Sequence, residues 1–300
     1  MKKLHISMAG KRAVNGYLFI LPWLLGFLLF YVRSLYMTVE FSLSDLTVLS
    51  TGGYNLEFVG LKNYYEAFFS HASFKQTLTT SIGNMLIDVP LIIFFSLFVA
   101  MMLNRKMKCR GLVRAIFFLP MVVAPAAVAM VWKWIFNAEY GILNQVLGAN
   151  IRWLTNPKIV LVTCAIVAIW SSIGYDAVLL LSGIQNISQS LYEAAELDGA
   201  SKIRQFFSIT LPMVSPTLFV VLIMRLMASL KVYDLIYMMV EQTNPALTSA
   251  QSLMYLFYRE SFVAGNKGYA SAIVVWTVLL IGLVTLVQFI GQKKWVNYEV

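Results

Sequence analysis

Charge is scarce in this 300-residue chain: Asp, Glu, Lys and Arg together make up 12% of it, and there are only two cysteines and two histidines. So little ionisable side chain leaves few candidates for catalysis. His5 and His71 are far apart, and with Cys109 and Cys164 they form no metal-ligand spacing. No HExxH or GxSxG pattern is present, so neither a zinc hydrolase nor a serine hydrolase site is indicated. No G-x-x-x-x-G-K-S/T loop occurs either, so the chain carries no nucleotide-phosphate cradle of that kind and any ATP it depends on must be hydrolysed elsewhere.

What is abundant is apolar surface. Hydrophobic residues are 59% of the chain and the mean hydropathy is +0.74, outside the range of soluble globular domains. Runs of about 20 apolar residues are long enough to cross a hydrocarbon core of about 30 Å as helix. They recur at Gly16–Tyr36, Thr80–Leu103, Ala115–Phe136, Val160–Leu181, Pro216–Val240 and Tyr269–Ile290. The pattern predicts an all-α polytopic membrane protein with six spans. The first run lacks a small-residue cleavage site and reads as a span, not a cleaved signal.

The net charge of +9 is distributed by topology, with no pattern that calls for nucleic acid. With the N-terminus inside, the inner segments hold Lys2, Lys3, Lys11, Arg12, Arg105, Lys106, Lys108, Arg110, Arg114, Lys202, Arg204, Lys293 and Lys294. The outer segments hold fewer: Lys62, Lys75, Arg152, Lys158, Arg259 and Lys267. That bias follows the positive-inside rule and predicts cytoplasmic N and C termini. The basic inner loop from Asn104 to Arg114, which holds no acidic residue, suits anionic lipid headgroups. With Cys109 in that loop and Cys164 in a span, no disulfide is expected.

One stretch between the apolar runs is polar and helix-forming, Leu191 to Pro212. Ser190 stands three residues before Glu193, the spacing of a capping box. Gly199 can take the left-handed conformation that ends a helix, Ser201 can cap a second helix over Lys202–Thr210, and Pro212 should stop it. The reading is a helix-turn-helix at the membrane surface, with Ala194, Ala195 and Leu197 free to enter a partner's groove. Glu193-Ala194-Ala195, Gly199, Ile209 and Leu211-Pro212, at these spacings, resemble position for position the EAA loop of permease subunits of binding-protein-dependent ABC importers.

Further stretches resemble the same family, closest to its carbohydrate-uptake members of maltose and lactose type. They include Phe58-Val59-Gly60-Leu61-Lys62-Asn63-Tyr64; Arg114, Leu119-Pro120 and Pro125; Trp132, Phe136, Gly141 and Asn144; Leu230 to Asp234; and Gly268 to Ala272. The chain departs from the family pattern at Glu241 to Pro245, where the proline remains without a preceding glycine pair, and at Ser188, where proline is common.

The resemblance implies a type I ABC importer permease fold in a bacterial or archaeal cell membrane. It implies a cytoplasmic lead at residues 1–15, a first span with an outer segment at 16–79, a core permease domain at 80–291 with the hairpin at 190–212, and a cytoplasmic tail at 292–300. The implied partners are a second permease, two cytoplasmic ATPases that bind ATP and magnesium, and an extracytoplasmic solute-binding protein; no cofactor is expected in this chain itself. The residues implied in ATPase coupling are Glu193, Ala194, Ala195, Asp198, Gly199, Ile209, Leu211 and Pro212. The mechanism implied is alternating access, carrying a carbohydrate, with polyols and glycerol phosphate-type solutes as the alternative. A membrane enzyme or scaffold, and an ion-coupled carrier using Asp88 or Asp176, are the readings from other classes.

Candidates for the pathway are the polar and aromatic residues inside the spans. Asp88 is costly in a membrane unless it lines the pathway or is structurally paired. Trp170, Tyr175 and Asp176, with Ser171 and Ser172, offer hydroxyls and rings to a sugar, or to a neighbouring helix. Arg225, Lys231 and Asp234 place three ionisable groups near Tyr233 in the fifth run; Lys231 and Asp234, at i,i+3, can pair on one helix face, as an alternative to contacting solute.

Overall fold

The structure is a computed structural model that describes residues 8–49, 52–105 and 108–298. Lys2, Lys3, His5 and Lys106, used in the sequence reading above, lie outside the described residues.

The chain begins with α1 (Met8–Gly26), which runs through a π-helical stretch at Phe27–Val32 into α2 (Arg33–Ser42) as one span. None of the most apolar part of that span is buried within the chain. After α2, β1 (Ser44–Val48) pairs antiparallel with β2 (Tyr54–Phe58), Ser44 opposite Phe58. This hairpin is an addition to the all-α expectation: five-residue strands leave too short a pattern to be read against the turn residues around them. The α3 helix (Lys62–Phe69) is tied to it by Asn63, whose Nδ2 donates to the Ser42 and Ser44 carbonyls at 3.0 and 3.1 Å.

The centre of the molecule is three long helices, α4 (Ala72–Asn104), α8 (Val160–Gln185) and α11 (Leu211–Leu230), closed around Val99, Ala100, Leu103, Ala177, Leu180 and Val214. In lipid, close approach of small residues does much of the work of helix association. Gly174 is such a point: a Cβ there would lie 1.8 Å from the Phe117 carbonyl oxygen of α5 (Arg110–Val122). α15 (Lys267–Gly291) packs on α2, α3 and α11 and closes the bundle.

The third run is broken, as its prolines suggest. α5 and α6 (Pro125–Ile135) meet at a 99° bend. Ala124 precedes Pro125 and is extended, because the proline ring excludes the helical region for the residue before it. Five described helices are long and apolar enough to cross a membrane, and six if this bent pair counts as one span. The short α7 (Ile142–Leu147) follows α6, with Asn144 accepting from Trp153 Nε1 at 2.8 Å.

Two expectations are corrected in the fifth run. The helix there is not Pro216–Val240 but a continuous one at Lys202–Leu230. Pro212 does not stop it. A π-helical stretch at Phe206–Thr210 joins α10 (Lys202–Gln205) to α11, and the widened turn makes room for the proline near the α11 start. At the other end α11 stops at Leu230, and the freed Val232 carbonyl accepts a hydrogen bond from the Ser252 hydroxyl. Hydropathy cannot register that ending, because its hydrogen-bond partner is remote in sequence. Three short helices, α12 (Asp234–Met239), α13 (Leu247–Ala250) and α14 (Leu253–Tyr258), connect α11 to α15.

Candidate coupling hairpin and translocation pathway

The hairpin consists of α9 (Gln189–Leu197) and the start of the Lys202–Leu230 helix. Its turn is a full Schellman motif: Gly199 N–H donates to the Glu196 carbonyl at 3.0 Å and Ala200 N–H to the Ala195 carbonyl at 2.9 Å. Gly199 has φ +72°, and open space surrounds the place where a Cβ would stand, so what requires glycine there is the backbone conformation. Ser201 caps the second arm by accepting from Arg204 N–H at 3.3 Å. The first arm begins earlier than the capping-box reading: Ser188 is the N-cap residue, and Ser190 lies inside the first turn with its hydroxyl 2.7 Å from that of Ser188.

Side chains then lock the two arms. Lys202 forms an ion pair with Glu196, and Gln205 Nε2 donates to the Ala200 carbonyl at 3.2 Å. The Tyr192 and Thr210 hydroxyls lie 2.9 Å apart across the arms. The Lys202 ammonium, first by its hydrogen bond and then by its charge, holds the Glu196 carboxyl below the ordinary carboxylate range. Apolar side chains are meanwhile left outside: Leu197 is 91% exposed and Ile203 73%. Ala195, Asp198 and Ile209 line a cleft of about 320 Å³ with Arg204 and Ser208. Glu193 and Ala194 are exposed on α9, while Leu211 and Pro212 are half-buried at the foot of the second arm.

Inside the bundle the ionisable candidates fall into two groups. The first lies between α4, α8 and α11. Asp176 is fully buried, and Arg225 Nε stands 2.6 Å from its Oδ2, an ion pair by distance whose N–H is not aligned as a hydrogen bond. Arg225 Nη1 donates to Ser172 Oγ at 2.9 Å, and its guanidinium carbon lies 6.0 Å from the centre of the Tyr175 ring. Asp88, 3% exposed, accepts from Ser229 Oγ at 3.0 Å on each carboxylate oxygen and from Asn84 Nδ2 at 3.3 Å.

The second group is aromatic and lies past the C-terminal end of α11. Tyr233 stacks on Tyr237 with ring centres 5.3 Å apart, and Tyr258 stands 5.1 Å from Tyr233 and 5.2 Å from Tyr237. Tyr255 backs the three and is buried, whereas Tyr237 is 36% exposed. Lys231 and Asp234 are exposed beside this group.

The sequence profile described as "Binding-protein-dependent transport system inner membrane component" matches residues 92–295. The chain belongs to this family. It is similar to the trehalose/maltose transport system permease of Thermococcus litoralis, 34% identical over 282 residues that cover 92% of this chain and 93% of that protein. It is also similar to the sn-glycerol-3-phosphate transport system permease of Pectobacterium atrosepticum, 29% identical over 289 residues, 94% of this chain and 95% of that one. A crystal structure of a bacterial ABC transporter involved in import of alginate contains a chain of the same fold: TM-score 0.81, 23% identity, 96% and 98% coverage.

Within this inner-membrane family member the structure brings Tyr175, Asp176 and Asp88 toward one helix, α11, and keeps Tyr233, Lys231 and Asp234 apart from them. Trp170 joins neither set; its ring is 5.6 Å from Trp132 in an edge contact. The i,i+3 pair of Lys231 and Asp234 does not form among the described ion pairs, because the helix has ended between them: Lys231 is the residue after α11 and Asp234 the first of α12. None of Ser229, Tyr237, Tyr255 and Tyr258 is singled out as a pathway candidate by the sequence. Local signals existed: Arg225 and Ser229 are i,i+4, as are Tyr233 and Tyr237.

Proposed function

We propose that this chain is the permease subunit of an ABC importer that takes up a carbohydrate handed over by an extracytoplasmic binding protein, while separate cytoplasmic subunits bind ATP and magnesium and hydrolyse the nucleotide. The observation that carries this reading is the hairpin. It is internally braced, capped at its turn and faced with exposed Leu197 and Ile203, the build of a preformed docking element. Glu193, Ala194, Ala195, Asp198, Gly199, Ile209, Leu211 and Pro212 are its ATPase-facing set in this proposal. Both termini and the hairpin are cytoplasmic, in a bacterial or archaeal cell membrane, and a second permease faces the uncovered first span.

Carbohydrate is favoured by the tyrosine group, since flat rings with hydroxyl tips suit the apolar faces and hydroxyl edges of sugars. The family relative named for trehalose and maltose supports the same class. The relative named for sn-glycerol-3-phosphate supports a second reading, a polyol phosphate as solute. In either case Asp234, exposed at the outer end of the pathway, contacts solute, and Asp234→Asn changes uptake kinetics with the ATPase still bound; unchanged kinetics remove it from the pathway.

The test is a pull-down of the detergent-extracted chain, combined with uptake of labelled sugars and glycerol 3-phosphate in cells with and without its gene. Co-purification of an ATPase and a second permease, with loss of sugar uptake alone, supports the proposal. Loss of glycerol 3-phosphate uptake alone selects the second reading. Purification alone, with uptake unchanged, sinks both.

A further inference from the structure

Arg225 and Ser229 stand about one turn apart on α11 and reach to different helices, Arg225 to Asp176 and Ser172 on α8 and Ser229 to Asp88 on α4. The helix that carries them has no break between the hairpin and the membrane interior, because Lys202 to Leu230 is one continuous element. At 1.5 Å per residue, Arg225 sits about 35 Å along it from the Lys202 end. Whatever moves the hairpin's second arm therefore moves these two side chains against α8 and α4.

Such contacts do not slide. Charges inside a bilayer bundle are strongly disfavoured without a partner, so relative motion of α11 takes them from made to broken with little between. The pair at Asp176 is held by charge at short range, with neither carboxylate oxygen in an aligned hydrogen bond, and the Arg225 Nη1 bond to Ser172 Oγ fixes where on α8 the guanidinium docks.

We propose that Arg225–Asp176 and Ser229–Asp88 together form an intramembrane latch through which the position of the coupling hairpin is transmitted to α8 and α4. Arg225 and Ser229 are positioning residues for coupling and do not contact solute. This rests on the reading of the hairpin as the ATPase dock. While closed, the latch opposes movement of the hairpin arm, and removing it lets that arm move without the trigger that normally opens it.

The test uses the assembled complex, purified through a tag on this chain and placed in lipid nanodiscs, with ATP hydrolysis measured in the absence of solute and binding protein. Asp176→Asn/Arg225→Gln removes the ion pair without stranding a buried charge, and Ser229→Ala removes the second contact. Loss of a coupling contact shifts such an equilibrium by about fivefold or more. The double variant is expected to raise basal hydrolysis per complex by that factor with the same amount of ATPase retained. Ser229→Ala gives a smaller rise, and Ser229→Thr, which keeps the hydroxyl, restores the parent rate. Basal hydrolysis unchanged or lowered at constant complex yield overturns the latch, as does a fall in yield with specific activity unchanged. Failure of any ATPase to co-purify with the unaltered chain is the separate result that sinks the docking reading, and the latch with it.

Discussion

The hairpin and the polar cluster inside the bundle are both built from a few charged and hydroxyl side chains, but they are specified in opposite ways. In the hairpin, Gly199 is required by its own φ of +72°, and a Cβ there would meet nothing. In the bundle, Gly174 needs no unusual backbone, and a Cβ there would strike the Phe117 carbonyl oxygen at 1.8 Å. One glycine answers to its own backbone and the other to a neighbouring helix. The same contrast separates Glu196–Lys202, close in sequence, from Arg225 and Ser229, whose partners lie on α8 and α4.

Gly174→Ala tests the tertiary side most severely. The α5 and α8 backbones must separate to admit a methyl group, and overpacking of this kind typically costs about 1–3 kcal/mol or more. The expected outcome is a sharp loss of chain recovered folded from the membrane, read by detergent-extraction yield and thermal melting. Recovery equal to the parent would show that the helices are not this close.

Arg225→Gln is next. It leaves Asp176 buried without its cation, and breaking one side of a buried pair costs about 3–5 kcal/mol, whereas neutralising both partners is often close to neutral. The double variant Asp176→Asn/Arg225→Gln should therefore melt well above Arg225→Gln alone. Equal melting of the two would mean that Asp176 does not depend on Arg225.

On the local side, Gly199→Val forces a β-branched residue into the left-handed region, a strain of about 1–2 kcal/mol confined to the turn. Membrane insertion and melting should stay near the parent, while the amount of ATPase that co-purifies falls. Undiminished co-purification would remove the turn from the dock.

The smallest effect is expected at Glu196→Gln, where an exposed ion pair is well screened. The sign with pH follows from the lowered Glu196 carboxyl. A group depressed in the folded state contributes above its unfolded titration and loses that contribution as pH falls through the lower folded value. Parent and variant should thus melt alike once pH is below the carboxylate range, and the parent should hold its small advantage at neutral pH. An advantage that grows on acidification would contradict the pairing.

These contrasts mark how far the sequence could be read. The membrane class, the placement of most spans, the break at Ala124 and the turn at Gly199 follow from apolar length, proline sterics and glycine freedom. Each acts within a window of a few residues or one helix. The end of α11, by contrast, was misplaced because Val232 is satisfied by the Ser252 hydroxyl. The i,i+3 spacing of Lys231 and Asp234 allows a pair only on a continuous helix, and the helix ends between them. The tyrosine group was half seen, since Tyr233 and Tyr237 gain Tyr258 only when α14 folds back beside α12.

By itself, the sequence determined a multi-pass membrane chain with a polar hairpin carrying the EAA spacing, because hydropathy, capping and turn chemistry act between near neighbours. Only the tertiary structure decided that Arg225 meets Asp176, that Ser229 meets Asp88, and that both stand on the helix rising from the hairpin. A buried charge in a membrane takes whatever partner the packed helices present, and spacing along the chain does not say which helices those will be.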